Sequence, residues 1–234
     1  MGTSMRVVRG IAFYLLFAGI FCVALCSCSL YQSNTLPRSS RYTLVPPPEL
    51  KPPCDRPYCA VDLGFPLSCI THPKIYVIKS ERRLWLVQND TLVRDYHVAL
   101  GYSPVGDKFC RGDGRTPEGE YFICSKNASS RFYKSMGINY PSPRNAESAL
   151  SSGMISYNEY CSIKCANDAM RQPPANTALG GQVFIHGGGT YADWTFGCVA
   201  LSNSDIDELF SIIQVGTPVY ILPSDPGKPM EAQY

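Results

Sequence analysis

The chain has 234 residues, 45% of them hydrophobic and 12% aromatic, which is enough apolar material for one sizeable domain with extensions and too much for a disordered chain. Its formal charge of +2 resides in Arg6 and Arg9 of a leader without acids, leaving 19 basic and 19 acidic residues beyond it. That balance argues against a nucleic-acid partner, which would require a concentrated basic face.

After the two arginines, the apolar run Ile11 to Leu25 has the form of a secretory signal, so residues 1–27 read as an export leader. The stretch Leu25-Cys26-Ser27-Cys28 resembles the lipobox of bacterial lipoproteins, which implies lipid attachment at Cys28 and a membrane partner through that anchor. Two alternatives stay open: an uncleaved anchor, since the run extended through Tyr31 reaches about 21 residues, or ordinary cleavage. All three export the domain, to the cell envelope or periplasm.

Export changes how eleven cysteines are read, because an oxidising compartment permits disulfides. Cys22 and Cys26 lie in the leader, Cys28 is the lipid candidate and Cys198 is reserved for chemistry. The remaining seven, Cys54, Cys59, Cys69, Cys110, Cys124, Cys161 and Cys165, are odd in number and cannot all pair within one chain. There is no C-x-x-C, and Cys161 with Cys165 is a single i,i+4 pair, so no metal site and no cofactor are expected.

Residues 28–73 carry Pro46, Pro47, Pro48, Pro52, Pro53 and Pro57 without sustained periodicity and read as a stiff, partly extended tether. Cys54, Cys59 and Cys69 offer a second reading, in which part of it is stapled to the domain. From Lys74 the pattern turns to β: Ile75 to Ile78, Leu84 to Val87, a polar turn at Gln88-Asn89-Asp90, then Leu92 to Leu100. A turn-rich stretch, Gly112 to Gly119, leads into Glu120 to Cys124, and its glycines and proline are what turns alone require.

Between residues 125 and 180 the chain is irregular, with Ser142-Pro143 as a turn signal and one helix expected at about Ser156 to Arg171. A segment this long within a β-rich domain reads as an inserted lid or cleft wall. Val183 to Ile185 is a buried strand that delivers His186 at its end. Ser202 or Asn203 caps a helix with Ile206, Leu209, Phe210 and Ile213 on one face, Gly216 ends it, and Val219 to Leu222 is a last strand before a loose tail, 223–234.

The chemistry concentrates in Gly180 to Phe210, where His186 and three glycines precede Cys198 by twelve residues. A thiol beside an imidazole and oriented backbone N–H groups is a candidate nucleophile, expected as a thiolate with a lowered pKa. Ile185-His186-Gly187 followed by Thr195-Phe196-Gly197-Cys198-Val199 resembles the L,D-transpeptidase catalytic domain, the YkuD-like family, over about residues 74–222. Gly112 to Tyr121 is similar to that family's G-D-G-x-T-P-x-G-x-Y, and Gly137-Ile138-Asn139-Tyr140-Pro141 to a motif common in one branch of it.

The resemblance implies an α+β, mainly β fold, a β-sandwich of mixed sheets with a helix after the cysteine. It implies that Cys198 attacks the bond between a third-position diamino acid and a fourth-position D-alanine of peptidoglycan stem peptides. His186 would move the proton, and the Gly187 carbonyl would orient its ring. Gly197, with the Cys198 N–H, would hold an oxyanion. Gly188, Gly189, Thr195, Phe196 and Tyr140 complete the expected substrate-binding set.

Two departures stand out: Phe196 where many relatives have histidine, and Ala200 where many have arginine. The second removes a cation able to hold a carboxylate and leaves the acceptor open. The leading reading is a transpeptidase, acting on stem peptides or joining an envelope protein to them. A hydrolase, an L,D-carboxypeptidase or amidase using water, shares its first step. A non-catalytic peptidoglycan-binding lipoprotein is opposed by the intact Cys–His pair, and a papain-like protease by the order of the two residues.

Overall fold

A computed structural model describes residues 55–228. The leader, Cys28, Cys54 and residues 229–234 lie outside the described residues. Among the described residues nine strands form one sheet: β1 Ala60–Val61, β2 Lys74–Ile78, β3 Arg83–Gln88, β4 Thr91–His97, β5 Gly119–Ser130, β6 Tyr133–Ile138, β7 Phe184–His186, β8 Val199–Ala200 and β9 Pro218–Leu222. Their order is β1-β4-β3-β2-β9-β5-β6-β7-β8, with parallel pairs β1–β4, β2–β9 and β7–β8 among antiparallel ones. The mainly-β mixed-sheet expectation holds; its layers are parts of one continuous sheet. Ala99, just beyond β4, bridges to Ala200, so the far end of the sheet returns towards its beginning.

The local causes are visible in the sequence. The β3–β4 hairpin turns at Asn89 and Asp90, with φ of 48° and 56°, the left-handed pair that gives a turn the twist of its flanking strands. β2 and β9 place Ile75, Val77, Val219 and Ile221 in the main core, together with Leu84, Leu86, Ile123, Met136 and Ile185. Helix α3, Asn203–Ile212, is capped by Ser202, whose side chain accepts the Asp205 N–H, and it buries Ile206 and Leu209 in that same core.

The 125–180 segment divides in two. Residues up to Ile138 belong to β5 and β6, well within the sheet. The remainder carries α1, Pro143–Ser151, and α2, Tyr157–Asp168, which share a small core of Ala146, Ala149, Ile155, Ile163 and Leu179. α2 falls where periodicity predicts a helix; α1 falls where a turn is predicted. Ser142-Pro143 starts it: the Ser142 side chain accepts the Asn145 N–H, and proline occupies the first turn, where no N–H is needed.

Asn139 ties this helical pair to the sheet. It accepts the Phe122 N–H at 2.7 Å and donates to Asn167 Oδ1 at 2.5 Å. Part of the proline-rich segment also docks: β1 pairs with β4, Tyr58 meets Trp85 edge-on at 5.3 Å, and Ile70 enters the core. Cys69, Cys110, Cys124, Cys161, Cys165 and Cys198 are free thiols. The start of the expected tail is anchored as well, through buried Asp225, which pairs with Arg56 at 3.0 Å. Among the described residues no helix is long and apolar enough to cross a membrane.

Candidate active site

β7 and β8 run parallel, with His186 opposite Ala200, so the strand ending in His186 and the strand beginning after Cys198 lie side by side. His186 is buried at 1% exposure. Its Nδ1 lies 2.5 Å from the Gly187 carbonyl oxygen. A carbonyl only accepts, so Nδ1 carries the proton and Nε2 is left with a free lone pair, as required of a base. Gly187 has to be glycine: a Cβ there would lie 2.7 Å from Asn203 Oδ1 and 3.0 Å from the Phe132 carbonyl oxygen.

Aromatic rings hold the imidazole. Phe132, from the β5–β6 turn, stacks on it at 4.5 Å and 21°, and Trp194 meets it edge-on at 5.6 Å. The Arg131 guanidinium sits 4.6 Å from the centre of the Phe132 ring. Burial is the main influence on His186 and lowers its pKa below the ordinary 6.5; the Gly187 hydrogen bond opposes this and the charge of Arg131 adds to it.

Cys198 is half-buried. Its Sγ accepts the Phe184 N–H at 3.4 Å and donates to the Gln182 carbonyl at 3.8 Å. Among the described residues it makes no hydrogen bond to His186. Burial pushes the thiol above its ordinary 9.0, although the Phe184 N–H and the charges of Lys108 and Arg131 pull the other way. The expected lowering of the thiol pKa is therefore corrected in direction: burial of the sulfur outweighs the Phe184 N–H and the nearby cations and disfavours a resting thiolate.

The turn before Cys198 is held from two sides. Thr195 Oγ1 donates to the Cys198 carbonyl at 2.7 Å, and Thr116 Oγ1 reaches the same carbonyl at 3.4 Å while accepting the Gly101 N–H at 2.9 Å. Gly197 has φ 124°, and a Cβ on it would lie 2.6 Å from the Arg115 carbonyl oxygen, so no other residue fits. Its N–H donates to Thr195 Oγ1 at 3.2 Å. That corrects its expected role as an oxyanion donor, because the hydrogen is already spent; the Cys198 N–H has no acceptor among the described residues.

The loop from Ser103 to Glu118 is what positions Thr116. Asp113 accepts the N–H groups of Phe109, Cys110 and Arg115 and pairs with Lys108 Nζ at 2.6 Å. Lys79, at 3% exposure, donates to the carbonyls of Gly106 and Thr116 and to Glu118. The glycine-rich stretch that reads as an ordinary turn thus supports the cysteine's backbone.

Tyr140 requires a third correction. It is 0% exposed, packed in the main core, with its hydroxyl donating to the Leu179 carbonyl, so it cannot touch a substrate. It anchors the helical pair. Gly188 and Gly189 also serve the loop: their N–H groups donate to Asn203 Oδ1 and to the Leu201 carbonyl, and Trp194 donates to the Gly189 carbonyl. Phe196 lies outside at 80% exposure, edge-on to Tyr102, and Tyr191 at 79% stacks on Trp194, so both flank the Cys–His pair as an exposed aromatic rim. Ala200 is fully buried and doubly hydrogen-bonded to Ala99 through its backbone.

Phe132, Trp194, Arg131, Thr116 and Lys79 are the site's additions that sequence reasoning misses. Thr116 alone had a usable signal, as part of the Gly112 to Tyr121 motif.

A mixed sheet that brings a thiol and a tautomer-fixed imidazole to neighbouring parallel strands, the imidazole oriented by a carbonyl instead of a carboxylate, defines a candidate thiol-dependent acyl-transfer domain. The family model of the L,D-transpeptidase catalytic domain, YkuD, matches residues 72–221, and the chain belongs to that family. The curated proteins contain no match. Among solved structures it is similar to Bd1075 of Bdellovibrio bacteriovorus, with 17% identity, 68% of this chain and 50% of that one covered and a TM-score of 0.43. It is also similar to the helical cell shape determining protein Pgp2 of Campylobacter jejuni, with 18% identity, 70% and 56% covered and a TM-score of 0.42. An L,D-transpeptidase of Xylanimonas cellulosilytica gives 14%, 64% and 60%, and 0.38. The chain spans about half to three-fifths of the length of these relatives.

Proposed function

We propose that the chain is an exported, envelope-located peptidoglycan L,D-transpeptidase that forms a thioester on Cys198 and transfers the acyl group to an amine. The observation that carries this reading is the His186 tautomer: a ring locked by Gly187 through Nδ1 has Nε2 free to take the thiol proton. Cys198 Sγ turns from the Phe184 and Gln182 backbone towards that nitrogen and attacks the carbonyl between the diamino acid and D-alanine. Nε2 then returns the proton to the departing D-alanine amine, and an amine acceptor resolves the thioester by the reverse proton path. The unpaired Cys198 N–H is the donor on this chain that fits the tetrahedral oxyanion. Anchoring through Cys28 would hold the domain at the membrane beside its polymer.

Hydrolysis is the second reading, and Ala200 favours it: that position is sealed inside the sheet and offers no cation to an acceptor carboxylate. Muropeptides incubated with the purified protein and analysed by mass spectrometry separate the two. New crosslinked dimers, or stems carrying an added amine, are expected; shortened stems alone would mean that water is the acceptor.

The pH dependence follows from the site's electrostatics. Burial lowers the His186 pKa, so its neutral form survives as pH falls through 6.5. The acid limb of kcat/KM is therefore expected below 6.5. An acid limb above that value would argue that another group is the base.

A further inference from the structure

A cavity of about 320 Å³ lies between the loop carrying Asp107 and Arg115 and the first turns of α1, lined among others by Asp107, Lys108, Phe109, Arg115 and Arg144. Its charges do not cancel. Asp107 Oδ1 is occupied by the N–H groups of Lys108 and Glu118, each at 2.7 Å, and Lys108 is neutralised by Asp113. Arg115 donates from Nη1 to a backbone carbonyl, that of Asp107, at 3.3 Å. Among the described residues neither Arg115 nor Arg144 has a carboxylate partner. Two guanidinium groups without an ion-pair partner among the described residues therefore line one recess; the Asp107 carboxylate offsets one of the two charges and leaves the recess net positive, with the exposed Phe109 ring as an apolar wall.

This recess adjoins the cysteine's own turn. The Arg115 carbonyl packs on Gly197, and Lys108 Nζ lies 3.8 Å from where a Gly197 Cβ would stand, so the cavity's lining is also the back of the Cys198 turn. We propose that the recess is a carboxylate subsite, in which Arg144 and Arg115 hold a free carboxylate of the stem peptide whose scissile bond lies at Cys198. Planar guanidinium forks suit a carboxylate, which accepts two parallel N–H bonds, and the partly desolvated recess strengthens them. This inference rests on the acyl-transfer reading for the identity of the ligand.

The test uses the full chain carrying Cys198→Ala, so that binding is read without turnover. Titration calorimetry compares the tetrapeptide L-Ala–γ-D-Glu–meso-diaminopimelate–D-Ala with three analogues, amidated in turn at the terminal D-alanine, at the free diaminopimelate carboxyl and at the α-carboxyl of the γ-linked D-glutamate. One analogue is expected to bind about tenfold more weakly than the acid, and which one it is identifies the carboxylate held. Adding Arg144→Gln is expected to abolish that difference, and Arg144→Lys to restore it in part. Equal binding of all four peptides, or a full difference surviving Arg144→Gln, would overturn the subsite. If the peptides bind alike while the unsubstituted chain forms the thioester, the subsite fails and the acyl-transfer reading stands. If the acid is preferred through Arg144 and no thioester forms, the reverse holds.

Discussion

Cys198→Ala is expected to remove the thioester and lower turnover of a stem tetrapeptide by about four orders of magnitude or more, because the reacting sulfur itself is lost. His186→Gln keeps a side chain of comparable reach without a base, and a fall of about 10²–10⁴-fold is expected. Intact-protein mass spectrometry with the tetrapeptide checks both: an adduct on the parent chain lacking the mass of D-alanine, none on Cys198→Ala, and a slowly accumulating one on His186→Gln. An adduct on Cys198→Ala would place the nucleophile elsewhere. Burial disfavours the charged form of both the thiol and the imidazole, so on the proposed mechanism the proton moves as the sulfur attacks. Iodoacetamide at neutral pH is accordingly expected to label Cys198 no faster than an ordinary thiol.

The second large effect is on stability. Lys79→Met is expected to destabilise the domain by about 3–5 kcal/mol, because it leaves Glu118 and two carbonyls without their buried cation. At this domain size that is a fall in Tm of roughly 10 °C. A double variant, Lys79→Met with Glu118→Leu, removes the orphaned charge and should recover part of the loss; thermal unfolding of the three chains reads this directly. If Lys79→Met unfolds at the parent's temperature, the ion pair does not hold the loop.

The site and the fold were unequally legible from sequence. His186 and Cys198 stand out because each sits beside glycine in a short pattern, Ile185-His186-Gly187 and Thr195-Phe196-Gly197-Cys198, although the glycines themselves prove to be required by close packing. β2, β3 and β4 were readable because runs of β-branched and aromatic residues and the polar turn at Gln88-Asn89-Asp90 agree with each other, whereas β6 lay hidden in the stretch that reads as irregular. Helix α1 was obscured by Ser142-Pro143, since serine followed by proline opens a turn and a helix with the same hydrogen bond. Tyr140 misleads for a related reason: proximity to a motif does not tell which face of the chain a ring occupies, and this one points into the core. Phe132 and Trp194 reach His186 from separate loops, and no local pattern encodes a stack made by tertiary folding.

The resting thiol was equally beyond the sequence. Neighbouring histidine and glycines suggest a thiolate, yet the balance between desolvation and the charges of Lys108 and Arg131 depends on how deeply the turn is set.

The position of β9 has a consequence for how the domain comes into being. This strand, the last in the domain, lies between β2 and β5 and is the seam that joins two half-sheets. A growing or threaded chain therefore holds two bare strand edges until nearly all of it is available, and the pairing that closes them spans the longest separation in the fold. Such edges are templates for association with other chains. The sheet thus cannot close before β9 is available, and until then the facing edges of β2 and β5 stay open to other chains.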